Sequence, residues 1–149
     1  MRIFPLLAVP LLASTAAPAQ GPAMHVSGWA RATVPGQTGS AAYLTIHNGE
    51  RSGDRLVAVT TPAAAKASVH VTTTAGGVVR MRSAGAVPVG AGQMVEMKPG
   101  GLHVMLTGLE SPLRVGEQLP LTLRFARVGT VRLAVPIRLQ ASDAGHHQH

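Results

Sequence analysis

Two stretches near the end of this 149-residue chain alternate strictly between apolar and polar positions. In Leu119-Pro120-Leu121-Thr122-Leu123-Arg124-Phe125 the large apolar side chains occupy every second place, and Val131, Leu133, Val135, Ile137 and Leu139 repeat the pattern. Successive side chains of a strand point to opposite faces, so each run has one apolar face and one wet face. Arg124, Arg132 and Arg138 fall on the wet faces. Residues Ala126 to Gly129 leave room for only a short connection, which predicts an antiparallel hairpin.

The rest of the chain continues in this style. Further strands are expected near Val26–Ala32, Ala41–Asn48, Arg55–Val59, Ala67–Thr73, Val78–Arg82, Met94–Met97 and Leu102–Thr107. Gly and Pro punctuate the gaps, at Pro35-Gly36, Gly76-Gly77, Pro88 to Gly92, Pro99-Gly100-Gly101 and Gly116. Many short strands at this spacing, without a helical period, predict an all-β sandwich or barrel. A helical turn is expected within Pro62 to Ala67. Residues Ala141 to His149 lack a core pattern and read as a flexible tail.

The first residues read as an export signal. Arg2 is a minimal basic start, Ile3 to Leu12 form a short apolar core, and Ala17-Pro18-Ala19 is a small-x-small cleavage site. The expected organisation is a signal peptide over 1–19, one domain over 20–140 and a His-rich tail over 141–149. The apolar run is shorter than the roughly 20 residues of a spanning helix, and Pro5 and Pro10 interrupt it, so no stable membrane insertion is expected. No cysteine follows the run, so lipid attachment is not expected either. The net charge of +7 comes from scattered arginines with few aromatics, which argues against nucleic acid. A steering role toward an acidic partner is the alternative use of that charge.

Chemistry gathers at His70, Met81, His103 and Met105. Ten residues separate the first two, twenty-one the next two, and one the last pair. Thioethers are soft and select Cu(I), whereas zinc sites use Cys, His and carboxylates, and Mg²⁺ or Ca²⁺ want oxygen. All four donors are neutral, which a monovalent ion tolerates best. His103 and Met105 share one strand face while Leu102, Val104 and Leu106 take the other, as a surface site at a sheet edge would require. His70 likewise opposes Val69 and Val71. The exposure of Met81 does not follow from alternation.

Other candidates read as ordinary structure. Met97 goes to the core with Val95, Met94 is exposed and incidental, and His47 is a surface residue at a strand end before Asn48-Gly49. Met24 and His25, near the mature N-terminus, either belong to a disordered terminus, the preferred reading, or assist metal capture, and Trp29 and Tyr43 are structural. His146, His147 and His149 form either an accessory copper site, better suited to Cu(II), or an inert polar end.

The spacing of His70, Met81 and His103-x-Met105 resembles the copper motif of the periplasmic copper chaperones called PCuAC. The resemblance extends through Trp29-Ala30-Arg31-Ala32-Thr33, Gly39 to Ile46 with Asn48, Asp54-Arg55-Leu56-Val57 and Pro99 to Leu106, covering Trp29 to Ile137. One departure is Val71, where many members carry an acidic residue. The resemblance implies a single-domain, Greek-key, cupredoxin-like β-sandwich and a monomer in the periplasm. It also implies Cu(I) as cargo for an apo-copper acceptor, the copper centre of a cytochrome c oxidase subunit. A copper buffer or resistance protein needs the same site and is the alternative. An enzyme is not expected: no Ser/His/Asp arrangement is visible, carboxylates are dispersed, and without cysteine there is neither thiol chemistry nor a His₂Cys blue-copper centre.

Overall fold

The structure, a computed structural model, describes residues 23–140. The expected signal peptide and the tail histidines His146, His147 and His149 lie outside the described residues. Ten strands run in chain order: β1 Met24–Arg31, β2 Gly39–Asn48, β3 Asp54–Thr60, β4 Ala64–Ala75, β5 Val78–Ser83, β6 Val87–Val89, β7 Met94–Glu96, β8 Leu102–Leu109, β9 Gln118–Phe125 and β10 Gly129–Arg138. Among the described residues there is no helix.

The strands follow one hydrogen-bonded path, β5-β4-β8-β2-β1-β10-β9-β3-β6, with β7 pairing the far end of β2. The path turns where β1 and β10 pair in parallel through Ala30–Ile137 and Arg31–Arg138. The two halves close over one core. Leu44, Ile46, Val104 and Leu106 contribute from one side, and Leu56, Leu119, Leu121, Leu123 and Phe125 from the other, all essentially inaccessible to water. The expected hairpin is present, with Val131 opposite Leu123 and Val135 opposite Leu119. Leu139 departs from its pattern: it lies past the end of β10 and is exposed.

Two other expectations need correction. Pro62 and Ala63 form a turn, but there is no helical turn through Ala67, because β4 has begun at Ala64 and pairs with β8 through Ala64–Leu109 and Lys66–Thr107. The gap around Pro88 holds a strand, β6, at the outer edge of its sheet. A proline without an N–H is tolerated at an edge, and Pro88 there sits opposite Arg55.

Two features fix the strands that matter below. Gly76 and Gly77 both have positive φ, 58° and 76°, between the paired residues Ala75 and Val78. That is a two-residue turn whose twist matches the flanking strands, and it sets the β4–β5 register. Asn48 is buried at the end of β2. Its side-chain amide donates to the carbonyls of Ser52 and Val89, both at 3.0 Å, and its Oδ1 accepts from the Glu50 N–H at 2.9 Å.

Candidate metal centre

Strand register brings the four His and Met candidates to one face. His70 on β4 stands opposite His103 on β8, and Ser68 stands opposite Met105. On the other flank, Met81 on β5 stands opposite Thr72. Ser68, His70 and Thr72 are two apart along β4, so all these side chains leave the sheet on the side away from the core. Val69, Val104 and Leu106 take the inner side and are buried.

The face is less open than a surface site at a sheet edge. β8 is an interior strand between β4 and β2, and His103 is only 6% exposed. Tyr43, also buried, lies beside it with ring centroids 6.5 Å apart, and Trp29 packs on Tyr43 at 4.8 Å. Trp29 and Tyr43 are thus structural in a specific way: Tyr43 walls the site and Trp29 packs behind it. The edge strand is β5, whose six residues are all exposed, and Met81 on it is 49% exposed. Three of the candidates, Met81, His103 and Met105, line a depression of about 260 Å³ with Tyr43, Thr72 and Arg31 on its walls. Among the described residues no carboxylate lines it.

The imidazoles are held by their neighbours. Nδ1 of His103 lies 3.0 Å from the Gly101 carbonyl, which can only accept, so Nδ1 carries the proton and Nε2 is left with its lone pair. Nε2 of His70 lies 3.0 Å from Ser68 Oγ. Nδ1 of His70 is buried and has no hydrogen-bond partner among the described residues. The two rings are 6.3 Å apart, centroid to centroid, and inclined by 27°. A metal–imidazole bond of about 2.0 Å places a ring centroid about 3.2 Å from the ion, so two rings sharing an ion stand up to about 6.4 Å apart. The observed 6.3 Å lies at the extended end of that range, so the rings have to draw together for the thioethers to join them around one ion.

Met97 is buried and Met94 is exposed, as expected from alternation. Met24 is not part of a disordered terminus: β1 starts there and its side chain is 2% exposed. His25 and His47 are neighbours across β1 and β2, a placement that the local sequence around either does not reveal.

These strands and this outer-face cluster define a cupredoxin-like β-sandwich with two imidazoles and two thioethers grouped outside its core. The family described as "Putative lipoprotein LpqE-like" matches residues 25–137, and the chain belongs to it; this is the PCuAC family. A relative, "Putative lipoprotein Lxx21020" of Leifsonia xyli subsp. xyli (strain CTCB07), is 35% identical over 134 residues, covering 88% of this chain and 80% of its own length. The apo PCuAC domain from PmoF1 superposes with a TM-score of 0.67 at 28% identity, over 79% of this chain and 95% of that domain. The solution structure of CuI-DR1885 from Deinococcus radiodurans gives 0.66 at 28% identity, over 87% of each chain.

Proposed function

We propose that this protein is an exported copper(I) chaperone that carries one ion on His70, Met81, His103 and Met105. The observation that carries this reading is the buried, unpartnered Nδ1 of His70 beside the ring of His103. A buried polar nitrogen without a partner costs about 1–3 kcal/mol, a cost that an ion bound to its lone pair removes. A soft cation is the partner that the thioethers would complete. Kinship with a protein studied as CuI-DR1885 supports the choice of copper and of its monovalent state. The signal-like first residues and the lipoprotein names of relatives support a periplasmic location.

Delivery needs an ion that is held yet exchangeable. His70 and His103 supply a shielded base, and Met81 is the half-exposed ligand on a strand with no buried residue. An acceptor could displace Met81 first, without opening the core. The acceptor that the resemblance implies is the copper centre of a cytochrome c oxidase subunit.

Anaerobic competition against a Cu(I) chelator should give one tight equivalent, weakened at least about tenfold by the volume-conserving change Met105→Leu. Mixing the Cu(I) form with a purified apo-oxidase copper domain should then move the ion to the oxidase domain. Tight binding without transfer would reduce the protein to a copper buffer. Unchanged affinity in Met105→Leu would remove Met105 from the ligand set.

A further inference from the structure

The same sheet face carries a second row of soft donors at its other end. Met94 on β7 stands opposite His47 on β2, and His47 stands opposite His25 on β1. In the local sequence these residues are a strand end, a terminus and an incidental methionine. Register makes them three consecutive neighbours across three strands. We propose that His25, His47 and Met94 form a second Cu(I) site, separate from the first and weaker than it.

Geometry carries this. The rings of His25 and His47 are 6.4 Å apart and inclined by 16°, against 6.3 Å and 27° for the pair His70 and His103. Both pairs lie at the outer limit of the separation that two imidazoles sharing one ion can span, and each has to close by a small inward turn of its rings before a thioether joins. Met94 lies one strand from His47 and level with it, whereas Met81 is one strand from β4 and two residues along from His70. The thioether is therefore no worse placed for the second pair than Met81 is for the first.

The row is also held in place. Met24, beside His25, is buried in the core, and Asn48, beside His47, is locked by its three hydrogen bonds. Glycine 49 donates its N–H to the Ala23 carbonyl at 2.8 Å, tying the start of β1 to the end of β2. The side chains themselves are open: Met94 is 59% exposed, His25 is exposed and His47 half-buried. An open site lets water compete for the ion, so it fills after the shielded one. Four residues along β2 from Tyr43 to His47, at about 3.4 Å each, already offset the sites by roughly 14 Å before the strands between them are counted, far enough for two ions to be held at once.

Cu(I) is diamagnetic, so methionine methyl resonances report its binding directly. In protein labelled at those methyls and titrated anaerobically with Cu(I), the first equivalent should move Met81 and Met105. The second should move Met94 and leave buried Met24 and Met97 in place. His47→Ala together with His25→Ala should abolish the Met94 shift, and Met94→Leu should weaken the second equivalent at least about tenfold. A Met94 methyl that stays put through two equivalents overturns the proposal. So does a second equivalent that moves only the imidazole signals of His146, His147 and His149. The first-equivalent shifts at Met81 and Met105 test the chaperone site on their own, so either site can fail without the other.

Discussion

Ser68 Oγ lies 3.0 Å from Nε2 of His70, two residues along the same strand face, and this contact engages one ring nitrogen while the other, buried Nδ1, has no partner among the described residues. A serine hydroxyl can donate or accept; the tautomer that donates Nε2–H to Ser68 is the one that leaves a lone pair on buried Nδ1 for an ion. The two histidines are therefore oriented oppositely: His103 is tied through Nδ1 and presents Nε2, while His70 is tied through Nε2 and presents Nδ1. Groups that fix the tautomer of a ligating imidazole typically govern metal affinity by ten- to a hundred-fold.

Ser68→Ala is accordingly expected to weaken the first Cu(I) equivalent by about tenfold while leaving the fold intact, since it deletes one half-buried hydroxyl. Chelator competition with a parallel unfolding curve checks both halves. An unchanged affinity would mean that His70 does not need Ser68 to hold its ring.

The turn at Gly76-Gly77 tests the role of β5. Positive φ at both positions is cheap for glycine and costs roughly 1–2 kcal/mol for an L-residue. Replacing both by alanine should therefore release the β4–β5 hairpin. Because every residue of β5 is exposed, the core loses nothing, and the unfolding midpoint should hardly move. Cu(I) affinity should fall as far as it does in Met81→Ala, and adding Met81→Ala to the turn variant should cost nothing more. Additive losses would show that Met81 reaches the ion whatever the turn does.

Charge offers a third test. Arg31 lines the depression beside His103 and Met105, where no carboxylate among the described residues balances it, and its guanidinium donates to the Gln140 side chain at 3.3 Å. A fixed cation there opposes an incoming cation, and opposes a divalent one twice as strongly. Arg31→Gln should tighten Cu(I) binding by a few-fold, with the gain shrinking at high salt. Weaker binding in that variant would mean that Arg31 organises the rim through Gln140 more than it repels the ion.

The alternation of apolar residues by itself marks the strand faces, and with them the side of β8 on which His103 and Met105 sit. It could not supply register or strand order, because those are set by partners far away in sequence. That is why β8 looked like an edge and is an interior strand, and why His25, His47 and Met94 looked unrelated. Ala64 to Ala67 misled differently: alanine favours helix in isolation, but pairing with Leu109 and Thr107 of β8 overrides that weak preference. Val87 to Val89 was hidden by Pro88, which an edge strand accommodates.

Asp54 provides a test of the scaffold that leaves copper aside. Its buried carboxylate starts β3, with Oδ1 accepting from the N–H groups of Arg55 at 2.7 Å and Arg127 at 2.8 Å, and Oδ2 from Val128 at 3.0 Å. It thereby ties β3 to the turn between β9 and β10. Burial acts to raise the pKa, but the backbone donors of Arg127, Val128 and Arg55, with the Arg127 charge, outweigh it and hold the carboxyl below its ordinary 3.8. The folded value is thus lower than the unfolded one. The stability from ionised Asp54 is complete above the unfolded value and drains as pH falls through the folded one. Asp54→Asn keeps the shape but turns an amide N–H₂ toward a backbone N–H, at an expected cost of about 2–3 kcal/mol near neutral pH. Denaturant unfolding of the copper-free protein should show that gap at pH 7 and a smaller one in acid, as pH falls through the folded value and the wild-type carboxylate protonates as well. A gap that keeps its full size in acid would mean that the charge of Asp54 adds nothing beyond the hydrogen-bonding shape of its side chain.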